Sequence, residues 1–290
     1  MTDFAELDRI PGVDATMDYL VPTSRINRRF WAPGKEYNTG VYASHGVHIR
    51  NARMAPEPFS LDKHGFCLAQ HKTKVTDWEA AAAGDSDYAA EVIEVVKKLT
   101  GADVVLTMAG QLRTSGATGE RLQPPAAEAH VDFTPQSAER VAERVYAAKI
   151  PDGPGYQRSI CFSLWRPLSA PPQDWPLALC DFRSVNEDEG TPNTKVDVDE
   201  IPEGDALFAD IPGEENMVAA SIFYHNPEHR WWYFPNMTDE EVLLIKFHDS
   251  DHSRAWRALH TAFHDTSRPD AIERHSMEFR GVAYFNKKDA

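Results

Sequence analysis

His130 and Asp132 stand two residues apart in Ala129-His130-Val131-Asp132-Phe133. In an extended strand, side chains at i and i+2 share a face, so an imidazole and a carboxylate project side by side. That pair is two thirds of the 2-His-1-carboxylate facial triad, a donor set that leaves open positions on non-haem Fe(II). The second His must come from another strand. His260 in Leu259-His260-Thr261-Ala262-Phe263 is the candidate, because Arg274-His275-Ser276 stands fourteen residues beyond it. Met277–Phe285 then reads as a terminal strand. Arg274 and Ser276 share one strand face, where a guanidinium fork and a hydroxyl can hold a carboxylate.

A distal His and then Arg-x-Ser on the next strand is the arrangement that binds the far carboxylate of 2-oxoglutarate in enzymes built on this triad. His130, Asp132 and His260 are therefore the candidate catalytic and metal-binding residues, with Arg274 and Ser276 as the candidate cosubstrate anchor. Glu278 and Arg280 continue the same parity, and Arg280 competes with Arg274 for the anchor role from deeper on that face. Three protein ligands leave three iron positions, two for the keto acid and one for O2. With Asp132 supplying a carboxylate, no vacant position for halide remains.

Rival constellations are weaker. The chain has 12 histidines. His225 and His229 are four apart, but Pro227 lies between them and breaks the helix that would align them. His248 and His252 flank Asp249-Ser250-Asp251, which reads as a hydrated turn. His260 and His264 lack the adjacent Glu of a zincin helix. There is no Cys-x-x-Cys, no Gly-x-Ser-x-Gly and no phosphate loop, and Gly116–Gly119 reads as a turn.

These residues need strands to carry them. Val41–Arg53 and Phe66–Gln70 are strand-like, while residues 1–60 otherwise read as irregular, punctuated by Pro11, Pro22, Pro33, Pro56 and Pro58. Tyr88, Val92, Val95, Val96 and Leu99 recur at helical spacing, capped by Asp85 or Ser86 and closed by Gly101. Val104–Met108 reads as a buried strand and Gly110–Gln123 as a polar loop. Thr134 and Pro135 are the N-cap and first residue of a second helix, to about Ala148. Ser159–Trp165, Leu177–Phe182, Met217–Tyr224, His229–Pro235, Val242–Phe247 and Glu278–Phe285 are strand-like. Glu187–Glu215 is acidic and reads as an insertion loop with a short strand at Ala206–Ala209. Many short strands with two good helices predict a mostly β chain with flanking helices: a double-stranded β-helix, or cupin-like jelly roll. One catalytic domain over 1–290 is expected, with residues 1–100 flanking a core at 101–290 that carries the insertion at about 185–216.

The chain is 42% hydrophobic and 26% charged, ordinary for a soluble globular protein. A net charge of −15 argues against nucleic acid as partner. Arg25, Arg28, Arg29, Arg50 and Arg53 form a basic segment that either pairs with the acidic stretch or covers the mouth of the site. Cys67, Cys161 and Cys180 suggest no disulfide framework and fit a reducing cytoplasm. The first six residues lack the features of a signal peptide, and no apolar run approaches the roughly 20 residues that span a bilayer. A small molecule is the expected substrate.

Longer phrases also carry a resemblance. Leu61-Asp62-Lys63-His64-Gly65-Phe66, Ala129-His130-Val131-Asp132, Trp165-Arg166-Pro167-Leu168, Trp175-Pro176-Leu177-Ala178-Leu179-Cys180-Asp181 and Trp232-Tyr233-Phe234-Pro235-Asn236-Met237-Thr238 are distributed from about Val41 onward. Together they resemble the family of bacterial and fungal secondary-metabolite hydroxylases and desaturases, which includes the cephamycin-type methoxylation oxygenase component and the fungal gibberellin desaturase. The resemblance implies Fe(II), 2-oxoglutarate and O2, and oxidation of an unactivated C–H bond with release of succinate and CO2. Ser163 departs from the family, which more often has Asn there. The competing readings are a jelly-roll protein that binds a metal or carboxylate without redox chemistry, and a metal-dependent hydrolase or isomerase. Neither needs a dicarboxylate anchor such as Arg274 with Ser276.

Overall fold

Period-two burial along the β-branched and aromatic runs builds two facing sheets, seen in a computed structural model that describes residues 4–23, 25–116 and 122–286. The larger sheet has ten strands among the described residues. In spatial order they are β1 (Gly12–Leu20), β4 (Tyr42–Asn51), β13 (Trp231–Tyr233), β10 (Leu177–Cys180), β15 (His260–Ala262), β8 (His130–Val131), β12 (Ala219–Ile222), β11 (Thr191–Asp197), β2 (Arg28–Ala32) and β3 (Lys35–Asn38). The smaller sheet runs β5 (Phe66–Gln70), β14 (Glu241–Asp249), β9 (Arg158–Pro167), β16 (His275–Phe285), β6 (Val104–Thr114) and β7 (Leu122–Gln123). This mostly β, double-sheet architecture is the jelly roll expected from the sequence.

Alternation along β9 separates two cores. Cys161 and Trp165 join the large cluster that includes Ala178, Leu179 and Trp232 of the larger sheet. Ile160, Phe162 and Leu164 turn the other way and pack with Tyr88, Val92 and Val96 of the helix Asp87–Thr100. Each such fully buried side chain stabilises the fold by about 1.5–3 kcal/mol relative to exposure. Together these contacts fix β9 and β16 as a rigid wall, and β16 is the strand that carries the candidate anchor.

The helix boundaries follow their caps. Ser86 Oγ accepts a hydrogen bond from Ala89 N at 3.1 Å, and Gly101, at φ +71°, closes the helix in a left-handed turn. Thr134 Oγ1 accepts from Ser137 N at 3.2 Å, with Pro135 opening the helix Pro135–Lys149. Such a cap contributes about 1 kcal/mol. Thr134 N also donates to Ala219 O at 2.7 Å, so the chain is pinned two residues beyond Asp132.

Three expectations need correction. Outside Val41–Arg53, where β4 falls as expected, residues 1–60 are not irregular. They also supply β1, β2 and β3, and the prolines punctuate rather than prevent them, with Pro11 before β1, Pro22 after it and Pro33 in the β2–β3 turn. Strands from the first 100 residues enter both sheets: β4 pairs with β13, β2 with β11, and β5 with β14. Second, the acidic stretch Glu187–Glu215 contains β11, which bridges β12 and β2, and Ala206–Ala209 overlaps a 3-10 turn, Gly204–Phe208, rather than a strand. Third, Gly110–Thr114 continues β6 as a strand, paired with β16 from Phe279 back to His275. The Gly116–Gly119 turn falls largely on residues 117–121, outside the described residues, as do residues 1–3.

Four of the five arginines of the basic segment meet carboxylates. Arg28 forks onto Glu214 of the acidic stretch, Arg29 meets Glu36 and Glu128, Arg50 meets Asp8, and Arg53 forks onto Glu241. Among the described residues, no helix is long and apolar enough to cross a membrane.

Candidate active site

β8 lies between β15 and β12, and its His130 is the direct register partner of His260 on β15. Directly opposed antiparallel residues hold their Cβ atoms about 4.5–5.5 Å apart, so the two imidazoles must meet. Asp132 returns to the same face two residues after His130. One ligand atom from each of His130, Asp132 and His260 lies within 4.8 Å of the others. Asp132 Oδ1 is 3.5 Å from His130 Nε2 and 3.4 Å from His260 Nε2.

Backbone carbonyls orient both rings. His130 Nδ1 donates to Glu128 O at 2.8 Å, and His260 Nδ1 to Ala258 O at 3.0 Å. With the proton on Nδ1, each Nε2 presents its lone pair to the shared space, as a metal ligand requires. Phe247 lies nearly parallel to the His260 ring, 5.6 Å away at 14°, and Phe133 packs edge-on against Phe247.

Burial opposes ionisation of Asp132, but the Arg280 guanidinium leads the groups that outweigh it and hold the carboxyl well below its ordinary range. Arg280 Nη2 lies 2.7 Å from Asp132 Oδ2 and 2.6 Å from Glu278 Oε1. Glu278 in turn takes a forked pair from Arg113, through Nε and Nη2, both at 3.0 Å. Burial disfavours the Glu278 carboxylate, yet the two guanidinium groups pull it down to about 2.

Arg274 is different. It is 2% exposed, its Nη1 donates to Trp175 O at 2.8 Å, and its Nε has no hydrogen-bond partner. Its guanidinium lies 5.7 Å from the Trp165 ring centroid. Burial, with Arg113 nearby, pushes it down to about 9. Ser276 Oγ and Ser163 Oγ are buried and unpartnered too. One cleft is lined by His130, His260, Arg113, Ser163, Trp165 and Arg274. A buried cation with unused donors, in the same cleft as two Nε2 atoms, fits a divalent ion chelated by an anionic ligand that runs back to Arg274.

The other histidines go elsewhere. His229 bonds to Tyr19 and Glu189, and His225 stacks on His45 at 4.1 Å. His248 and His252 meet Nε2 to Nε2 at 3.2 Å, and His264 stacks on Trp175. Neither pair belongs to a three-ligand group among the described residues. Arg113 went unrecognised in the sequence because Gly110 and Gly116 suggested a loop. The period-two run Gln111, Arg113 against Leu112, Thr114 was the available signal.

The family profile described as "Oxidoreductase/YMDC permease-like domain" matches residues 17–284. A hydroxylase/desaturase from Hormonema carpetanum is 30% identical over 86% of this chain and 86% of its own. Another hydroxylase/desaturase, from Cercospora beticola, is 30% identical over 100% of this chain and 92% of its own. An Fe(II)/2-oxoglutarate-dependent dioxygenase from Aspergillus novofumigatus is 27% identical, covering 87% of each chain. The chain belongs to this hydroxylase/desaturase family of Fe(II)/2-oxoglutarate-dependent oxygenases, and Fe(II), 2-oxoglutarate and O2 are its cofactor and cosubstrates. The solved structure of the iron and alpha-ketoglutarate-dependent endoperoxidase NvfI shares the fold, with a TM-score of 0.75 at 24% identity, covering 95% of this chain and 98% of that one.

Proposed function

We propose that His130, Asp132 and His260 hold Fe(II), and that Arg274 with Ser276 holds the C5 carboxylate of 2-oxoglutarate, for hydroxylation or desaturation of a small molecule. The observation that carries this reading is the buried Arg274 guanidinium, its Nε unpartnered, in the cleft that also holds His130 and His260. A non-redox metal-binding protein would have no use for an anion-binding subsite at that place.

Fe(II) with 2-oxoglutarate and O2 supplies the oxidising power to remove hydrogen from an unactivated C–H bond. The chain's own residues do the rest. The carbonyls of Glu128 and Ala258 fix the imidazole tautomers, and Phe247 braces the His260 ring. The aromatic walls, Trp165 and Phe247, exclude water from the cleft. Where the substrate's C–H is held then decides between hydroxylation and desaturation.

Anaerobic addition of Fe(II) and 2-oxoglutarate tests the reading through the visible charge-transfer band of the chelate. The band is expected in the wild type and absent in Asp132→Ala. A full band in His260→Ala would remove the proposed distal ligand.

A further inference from the structure

Asp132 uses its two oxygens differently. Oδ1 faces both imidazole Nε2 atoms, at 3.5 and 3.4 Å, while Oδ2 lies 2.7 Å from Arg280 Nη2. Arg280 comes from the opposite sheet. It sits on β16 in register with Ser163 of β9, on the same face as Arg274, Ser276 and Glu278. The same Nη2 is held at 2.6 Å by Glu278, which Arg113 grips with two bonds. The result is a ladder of alternating charge, Arg113, Glu278, Arg280, Asp132, that crosses from one sheet to the other and ends on the carboxylate of the triad.

We infer that Arg280 is a positioning residue for the metal carboxylate: by occupying Oδ2 it makes Asp132 a one-oxygen ligand and keeps a coordination position free. The inference rests on the triad reading above. Carboxylates bind metal ions through one oxygen or both. A two-oxygen Asp132 would take a position needed by 2-oxoglutarate or O2. Turning Oδ2 towards the metal would strip Arg280 of one of its two carboxylates and leave a partly buried guanidinium half-matched, which opposes the turn. Glu278 and Arg113 prevent Arg280 from following. Outer-shell partners of this kind typically change metal affinity or activity by about 10–100-fold when removed.

Cobalt(II) reports the coordination of this site without turnover. The full-length protein would be loaded anaerobically with Co(II), as wild type and as Arg280→Met, Arg280→Ala, Arg280→Lys, Glu278→Gln and Asp132→Ala. The visible d–d absorption would be recorded before and after 2-oxoglutarate, with circular dichroism as the check on folding. Arg280→Met is expected to change the d–d intensity before 2-oxoglutarate is added, and to weaken 2-oxoglutarate in step with that change, because Asp132 Oδ2 then competes for its position. With Fe(II), its kcat should fall by about ten-fold or more. Arg280→Lys should restore part of the spectrum, because an ammonium can still donate to Oδ2. Glu278→Gln should give a smaller change in the same direction, and added methylguanidinium should partly restore the spectrum of Arg280→Ala. A wild-type d–d spectrum in both Arg280→Met and Arg280→Ala would overturn the inference. So would an unchanged spectrum with a collapse in 2-oxoglutarate affinity, which would make Arg280 an anchor instead. Failure of the triad reading itself would show separately, as unaltered Co(II) binding in Asp132→Ala.

Discussion

Arg274 and Arg280 stand at two ends of one inner face, six residues apart by number, and their surroundings are opposite. Arg280 touches two carboxylates, Asp132 and Glu278, and these raise its pKa despite burial. The Arg274 guanidinium touches none: its one hydrogen bond goes to the Trp175 carbonyl, and burial pushes its pKa down to about 9. The same residue type is thus matched within β16 and unmatched one residue before that strand begins. A matched buried charge holds something already present. An unmatched one, with donors to spare, is a place for an anion that arrives later.

The largest expected effects lie at the metal end. Ala at His130, Asp132 or His260 should abolish succinate formation while the far-ultraviolet circular dichroism stays native. His248→Ala should keep turnover, because His248 is hydrogen-bonded to His252 and lies outside the three-ligand group. Full succinate formation in His260→Ala with loss in His248→Ala would reverse that assignment. The unmatched end comes next. Arg274→Ala should weaken 2-oxoglutarate by about ten- to a hundred-fold, the worth of a charge-assisted bond to a desolvated carboxylate of roughly 1.5–3 kcal/mol. Arg274→Lys should recover only part of this, since an ammonium lacks the planar fork. Equal 2-oxoglutarate KM in Arg274→Ala and wild type would erase the contrast between the two arginines. Ser276→Ala should cost several-fold, consistent with about 1 kcal/mol for a neutral hydroxyl donor.

Much of this face was legible because strand parity is strict. The i,i+2 spacing of His130 and Asp132, and the run Arg274, Ser276, Glu278, Arg280, needed only a strand to become geometry. Which carboxylate each arginine meets was not legible. Asp132 and Arg280 lie in different sheets, and their contact depends on how those sheets face each other. Arg113 was hidden because its partner Glu278 is 165 residues away and one glycine, Gly110, interrupts its strand while another, Gly116, follows it. The same limit applied to β11, whose Pro192, Lys195 and Asp197 are exposed while Asn193, Thr194 and Val196 are buried. Its acidic neighbourhood suggested a loop, and only pairing to β12 and β2 makes it a strand. The opening 60 residues failed for a related reason. Proline marks the end of a strand as readily as the absence of one.

The smallest effect has a sign that separates the two arginines. Arg274 carries the cost of a buried guanidinium with no carboxylate in contact, offset in part by the Trp175 bond and the Trp165 ring. Replacing an incompletely matched buried charge by an apolar side chain of similar length is often neutral or stabilising. Arg274→Met should therefore leave the cosubstrate-free protein as stable as wild type or more so, by up to about 1 kcal/mol, or about 2 °C in Tm for a chain of this size. Arg280→Met should do the reverse, because it leaves Asp132 and Glu278 buried without their shared cation. Adding 2-oxoglutarate with a redox-inert divalent metal at about 100 times Kd should stabilise the wild type by about 2.7 kcal/mol. At the same concentration Arg274→Met should gain far less, because its affinity is lower. Differential scanning calorimetry of the wild type and the two variants, with and without the ligand, reads all four outcomes. A destabilised Arg274→Met that still responds fully to 2-oxoglutarate would mean that Arg274 serves the fold and not the cosubstrate.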